Sequence, residues 1–121
     1  MSDLRKPPIE DLSPQQVAKA LQDKKILLID VREPDEYASQ RIAGAVLYPL
    51  STFDASMLPP DEPRRIVFQC GSGKRSATAA HARLAGGAER TAHLAGGLGA
   101  WIAAGLPVIR LDPATGKPVT K

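Results

Sequence analysis

Chemistry in this chain starts at its one cysteine, Cys70, and the run that follows it, Gly71-Ser72-Gly73-Lys74-Arg75-Ser76. Ile66-Val67-Phe68-Gln69 is a short apolar run that reads as a strand and delivers Cys70 at its C-terminal end. The alanine-rich stretch from Ser76 to Ala85 reads as a helix, stopped by Gly86-Gly87. A strand–loop–helix junction containing two glycines lets successive backbone N–H groups turn inward and form an anion-binding concavity. The helix that follows points its partially positive N-terminus at the same place, and Lys74 and Arg75 add formal charge. All three effects favour thiolate over thiol, so the pKa of Cys70 is expected below the ordinary value near ~8.5. Such a nucleophile suits an anionic sulfur donor. Attack on the donor's outer sulfur expels sulfite or another good leaving group and leaves a persulfide, held by the N–H groups of the loop until a second nucleophile removes its sulfur. This chemistry requires neither a metal, nor a cofactor, nor a general base. It does require that Cys70 be reachable from solvent; the competing reading of a cysteine at this place is a small buried hydrophobe.

The elements that would position this loop follow from the rest of the sequence. Residues 1–12 read as a loosely ordered lead-in. Ser13-Pro14-Gln15-Gln16 has the form of a capping box with proline at the first helical position, and predicts a helix ending at Asp23-Lys24-Lys25. Ile26-Leu27-Leu28-Ile29 predicts a strand covered on both faces. Pro34 opens a short polar helix through Tyr37, Ala45–Tyr48 predicts a strand stopped by Pro49, and a weak helical turn is expected between Ser51 and Met57. Thr91–Leu94 reads as a strand and Leu98–Ala104 as a helix, with Gly105 just past its end and Pro107 beyond. Residues 109–121 show no apolar period and read as a flexible tail. Strands alternating with helices imply an α/β layer fold with a mainly parallel sheet. In such sheets ligands bind at the C-terminal ends of strands, where Cys70 lies.

Composition sets the outer limits. The chain has 121 residues, 43% hydrophobic and 24% charged, which is one globular domain and excludes a disordered or fibrous protein. No run approaches the ~20 apolar residues of a membrane helix, and the first residues lack the apolar stretch of a secretion signal. A single cysteine cannot form an internal disulfide or a cysteine-rich zinc site, which fits a reducing, cytoplasmic setting. The net charge of +3 comes from basic pairs separated by acids, with no interleaved aromatics. It reads as a mixed solvated surface, so nucleic acid and membrane are not expected partners.

Four segments in order resemble the rhodanese family of sulfurtransferases in its single-domain form. Asp30-Val31-Arg32-Glu33-Pro34-Asp35-Glu36-Tyr37 is similar to that family's Asp-Val-Arg-Glu-x-x-Glu-Tyr segment, and Ile42-Ala43-Gly44-Ala45 to its Ile-Pro-Gly-Ala stretch. Cys70-x-x-Gly73-x-Arg75-Ser76 is similar to the active-site loop. Gly96-Gly97, Ala100-Trp101 and Ala104-Gly105-Leu106-Pro107-Val108 resemble the C-terminal signature. The resemblance spans about residues 13–108. It implies a single rhodanese-like domain with a five-stranded parallel sheet, helices on both faces, and a persulfide on Cys70. It also gives loop length a meaning. Sulfurtransferase loops read Cys-x4-Arg, whereas related phosphatases carry one residue more; the spacing from Cys70 to Arg75 is the former. Gln40-Arg41 stands where the family has Gly-His, and Ala43 replaces the usual proline, changes expected to alter a surface turn. The loop does not single out one donor: its cations suit thiosulfate, and Gly71-Ser72 resembles loops of mercaptopyruvate-using relatives.

Residue roles divide accordingly. Cys70 is the expected nucleophile. Gly71, Ser72, Gly73, Lys74, Arg75 and Ser76 are expected to bind the donor, with Lys74 steering anions and Arg75 chiefly holding the loop's shape by reaching its carbonyls or a carboxylate such as Asp30 or Glu36. Ser72 either points its hydroxyl at the persulfide or simply suits the turn. Asp30, Arg32 and Glu36 are supporting residues, with Arg32 in a structural ion pair. His81 and His93 read as ordinary surface histidines, outside any Cys–His dyad, and Trp101 as core. The function these readings favour is transfer of a sulfane sulfur from thiosulfate or a related anion to cyanide or to a thiol, small or carried by a thioredoxin-like protein. The alternatives are a sulfur-carrier or protein-docking module and, against the loop length, a phosphatase or arsenate reductase.

Overall fold

A computed structural model describes residues 8–61 and 63–121. Its main sheet has five parallel strands in the order β1-β6-β5-β2-β4: β1 (Ile9–Leu12), β2 (Ile26–Asp30), β4 (Val46–Leu47), β5 (Arg65–Gln69) and β6 (Thr91–Leu94). Among the described residues three helices lie between them in the chain, α1 (Pro14–Gln22), α2 (Pro34–Ser39) and α3 (Lys74–Ala85), and α4 (Gly97–Ala103) follows β6.

Side-chain alternation along the strands divides the core in two. Ile26 and Leu28 of β2, Val67 of β5, and Ala92 and Leu94 of β6 face one side, where they pack with Val17 of α1 and with Leu98 and Trp101 of α4. Ile29, Ile66, Phe68 and Cys70 face the other side and pack against Ala79 and Ala80 of α3. A continuous apolar run such as Ile26–Ile29 exists because both faces are covered. Full burial of a side chain such as Phe68 or Leu28 stabilises the fold by about 1.5–3 kcal/mol. The small alanines of α3 let that helix approach the sheet closely enough to bring its first turn against Cys70.

The capping box forms as expected: Gln16 N–H donates to Ser13 Oγ at 3.1 Å, and Ser13 N–H donates to Gln16 Oε1 at 2.8 Å. Trp101 is 4% exposed and donates its indole N–H to the Pro107 carbonyl at 2.8 Å. The expected turn at Ser51–Met57 consists of two short 3₁₀ turns, Leu50–Thr52 and Ala55–Met57.

Two expectations at the chain ends are corrected. Residues 9–12 are no lead-in; they form edge strand β1, in parallel register with β6 from Ile9↔Thr91 to Leu12↔Leu94. Residues 1–7 of that expected lead-in lie outside the described residues. Residues 109–121 are not a loose tail. β7 (Ile109–Leu111) and β8 (Pro118–Thr120) form an antiparallel hairpin, and β7 pairs with β3 (Gln40–Arg41). The hairpin closes through Val108 N–H to Lys121 O at 2.7 Å and Lys121 N–H to Val108 O at 2.8 Å. Its backbone groups are satisfied across strands, so it needs little apolar periodicity to form. Gln40-Arg41, expected only to alter a turn, supplies the edge on which the hairpin pairs.

Candidate active site

Cys70 follows β5, and its sulfur sits inside the turn made by the next residues. Gly73 N–H donates to Cys70 Sγ at 3.0 Å. Gly73 can occupy this place because its φ is +103°, a left-handed conformation that also lets α3 begin at Lys74. A side chain there would come within 3.2 Å of Gly96 N. The Ser76 Oγ lies 3.5 Å from Sγ. Burial pushes the thiol pKa up, but hydrogen bonds from the Ser76 hydroxyl and from the backbone of Ser76, Gly73 and Ser72 outweigh it, and the net direction is down. The causes that lower the thiol pKa are thus hydrogen bonds of the loop and of Ser76 rather than the formal charges of Lys74 and Arg75.

The loop is anchored from behind by α4. Leu98 N–H donates to the Cys70 carbonyl at 2.7 Å and Gly99 N–H to the Gly71 carbonyl at 3.0 Å. Gly97, at φ +60°, lies against this backbone: a Cβ there would meet the Cys70 carbonyl oxygen and would stand 2.6 Å from the Gly71 carbonyl carbon.

The charged residues divide into two pairs. Arg75 grips Glu36 of α2 bidentately, Nη1 to Oε1 at 2.7 Å and Nη2 to Oε2 at 3.0 Å. This hydrogen-bonded pairing, against an opposing effect of burial, lowers the Glu36 pKa from 4.5 to about 2. The Arg75 pKa moves up in turn, again through Glu36 first. Arg75 thus reaches a carboxylate, as one expected alternative had it, and ties the loop to α2. Arg32 and Asp30 form a buried pair, Nη2 to Oδ2 at 2.9 Å, in which the guanidinium also reaches the Gln40 carbonyl at 2.6 Å. Arg32 thereby links the end of β2 to the strand carrying the C-terminal hairpin. Lys74 is exposed at the start of α3. Ser72 is also exposed; its backbone lowers the thiol pKa, and among the described residues no hydrogen bond joins its hydroxyl to Sγ.

Two expectations do not hold. Cys70 is 0% exposed, so in this conformation the sulfur is covered by residues 71–73 and by the start of α3 and is not open to solvent. Two surface concavities, one lined by Leu27, Pro59, Pro60, Pro63 and Arg64 and the other near Ala55, Arg83 and Gly86, include no residue of this loop. His93 is not a surface histidine: it is 8% exposed, and its Nδ1 lies 2.8 Å from Ser76 Oγ and its Nε2 2.8 Å from Asp11 Oδ1. The alternation Thr91-Ala92-His93-Leu94 carried a signal, because two polar side chains share one face of a strand otherwise buried. The partner was hidden in residues read as a lead-in. His81 is exposed, as expected. Among the described residues no cluster of three or more His, Cys, Asp or Glu is placed to hold a metal ion, and no helix is long and apolar enough to cross a membrane.

The model of the rhodanese-like domain matches residues 13–104. The chain belongs to this family. A protein named sulfurtransferase from Allochromatium vinosum is 30% identical over 102 residues, covering 84% of this chain and 95% of its own length. The thiosulfate:glutathione sulfurtransferase of Saccharomyces cerevisiae is 29% identical over 96 residues, 69% of each chain. A Synechocystis relative is 37% identical over 103 residues, and this chain spans only 58% of its length. Among solved structures, a rhodanese-related protein of Thermoplasma volcanium superposes with a TM-score of 0.70 at 26% identity, covering 82% of this chain and 96% of that one. The family and the five-stranded parallel fold read from the sequence are thus shown, and several relatives of this rhodanese-like domain carry the name sulfurtransferase.

Proposed function

We propose that this rhodanese-like domain is a sulfurtransferase that takes a sulfane sulfur from a small anionic donor of the thiosulfate type and passes it, through a persulfide on Cys70, to a thiol or to cyanide. The observation that carries the reading is the turn around Cys70 Sγ, where Gly73 N–H donates to the sulfur at 3.0 Å and Ser76 Oγ stands 3.5 Å away; the loop backbone lowers the thiol pKa. The Cys70 thiolate attacks the outer sulfur of thiosulfate; a new S–S bond forms, the donor's S–S bond breaks, and sulfite leaves with the electron pair. The amides that held the thiolate then hold the persulfide anion. An acceptor thiolate attacks the terminal sulfur and Cys70 leaves as thiolate, ready for another cycle. Arg75 and Glu36 hold the loop in shape, and Lys74 draws anions toward it. Because the sulfur is covered, the cycle requires Gly71-Ser72-Gly73 to lift.

The test is the intact mass of the protein after incubation with thiosulfate. The expected result is a gain of one sulfur atom on the wild type and none on Cys70→Ser. The same mass on both proteins overturns the proposal. The burial of Cys70 favours a second reading, a carrier loaded by a partner persulfide that opens the loop on docking. Loading from a protein persulfide that far outpaces loading from thiosulfate would select it.

A further inference from the structure

Ser76 lies between Cys70 and a buried histidine for which the proposed sulfur transfer has no use. Its Oγ is 3.5 Å from Cys70 Sγ and 2.8 Å from His93 Nδ1, and the far side of the ring, Nε2, is 2.8 Å from Asp11 Oδ1. Three elements converge to build this line. Asp11 and His93 are register partners on β1 and β6, which places both side chains on the same face of the sheet. Ser76 is in the first turn of α3, which covers that face. The Asp11 carboxylate can only accept, so Nε2 carries a proton and Nδ1 is left as the acceptor for the Ser76 hydroxyl. That hydroxyl has one other oxygen neighbour, the Gly73 carbonyl, at the longer distance of 3.2 Å.

We propose that Asp11, His93 and Ser76 form a proton relay that ionises Cys70. The S–H proton passes to Ser76 Oγ while the Ser76 O–H proton passes to His93 Nδ1; one S–H bond is lost, one N–H bond is gained, and Ser76 ends with a hydroxyl as it began. The product is a thiolate–imidazolium pair bridged by Ser76, with the imidazolium's Nε2–H directed at Asp11. His93 and Asp11 act through Ser76 and are positioning residues. The inference rests on Cys70 being the nucleophile, but not on any particular donor.

The other charges near the line do not supply this function. On β1, Glu10 pairs with Arg65 of β5 at 3.0 Å. On α3, Arg75 is held by Glu36, Arg83 by Asp61 at 3.1 Å, and Lys74 and His81 are exposed. The β5 partner of His93 is Phe68, which is apolar, and Arg32, bound to Asp30, lies beside Gly71.

Coupled titration tests the relay without any turnover. The pH dependence of Cys70 alkylation by iodoacetamide gives the thiolate midpoint, and the ring Cε1–H proton resonance of His93 gives the imidazole midpoint. His93→Gln and Ser76→Ala are expected to raise the thiolate midpoint by at least one pH unit, and Asp11→Asn by less. Linkage requires the reciprocal effect, so Cys70→Ala should lower the His93 midpoint by an amount matching the His93→Gln shift. A purely structural histidine would leave both midpoints unmoved. An unchanged alkylation midpoint in folded His93→Gln, or a His93 midpoint indifferent to Cys70→Ala, overturns the relay. If His93→Gln does not fold, the Cys70→Ala resonance measurement decides alone. Coupled midpoints in a protein that gains no sulfur from thiosulfate would reject the donor and leave the relay standing.

Discussion

Replacing Gly97 by alanine should destabilise the protein through the active-site loop, whereas the same change at Gly99 should not. Gly97 has φ +60°, and a Cβ there would stand 2.6 Å from the Gly71 carbonyl carbon and 2.7 Å from its oxygen. The left-handed backbone costs about 1–2 kcal/mol for a residue with a Cβ. Relieving the overlap requires the loop to move away from α4, a strain of about 1–3 kcal/mol. That movement weakens the bonds from Leu98 N–H to Cys70 O and from Gly99 N–H to Gly71 O, each contributing about 0.5–1.5 kcal/mol. Together the loss should be about 3 kcal/mol or more. At Gly99 the nearest foreign atom is the Gly71 oxygen at 3.5 Å, an ordinary contact. Alanine inside a helix there is worth about 0.5–1 kcal/mol over glycine, so Gly99→Ala should be neutral or mildly stabilising. Urea denaturation of the two variants and the wild type measures both effects. Cys70 alkylation in Gly97→Ala should show a higher thiolate midpoint as the loop loses its aim. A Gly97→Ala protein as stable as the wild type, or less affected than Gly99→Ala, would refute the argument.

Other outcomes are expected elsewhere. Glu36 has its pKa depressed to about 2 by Arg75, so its pairing stabilises the fold fully above the ordinary carboxylate pKa near 4.5 and is lost as pH falls toward about 2. The pair is partly exposed, at 38% and 36%, so solvent screening holds its worth to about 1 kcal/mol. Glu36→Gln should lower urea stability at pH 7 by that much, and the difference should vanish near pH 2. Arg32→Met leaves Asp30 charged and buried and should cost about 3–5 kcal/mol, most of it recovered in the double variant Asp30→Leu/Arg32→Met. Deleting residues 109–121 should lower the unfolding free energy by more than about 1 kcal/mol, since it removes several inter-strand hydrogen bonds; a true tail would leave stability unchanged.

The middle of this fold was legible because its determinants are local. Ser13-Pro14-Gln15-Gln16 writes its own cap, Ile26–Ile29 shows by composition that both its faces are covered, and Gly71 and Gly73 after Cys70 announce a turn of inward N–H groups. The ends were not legible, because β1 and the β7–β8 hairpin are held by pairing partners remote in sequence. That blind spot carried into the site. His93 acquires its role from Asp11, 82 positions away, in a segment that reads as a loosely ordered lead-in, so the sequence shows the histidine no partner. The charge of Arg75 likewise counts for less at the loop than its position in the sequence suggests, because Glu36 pairs with it. Charge is easy to see in a sequence, but its cancellation by Glu36 depends on how α2 packs against the loop.

The grip of α4 on the carbonyls of residues 70 and 71 also decides which way two peptide planes face. In a trans peptide the N–H points opposite the C=O, so pinning these two oxygens to Leu98 and Gly99 turns the amides of Gly71 and Ser72 away from that helix. The first half of the ring is thereby set to a fixed gauge by a segment well downstream. Any extra residue that enlarged this ring for a bulkier anion would have to enter beyond Ser72, on the rim that faces water.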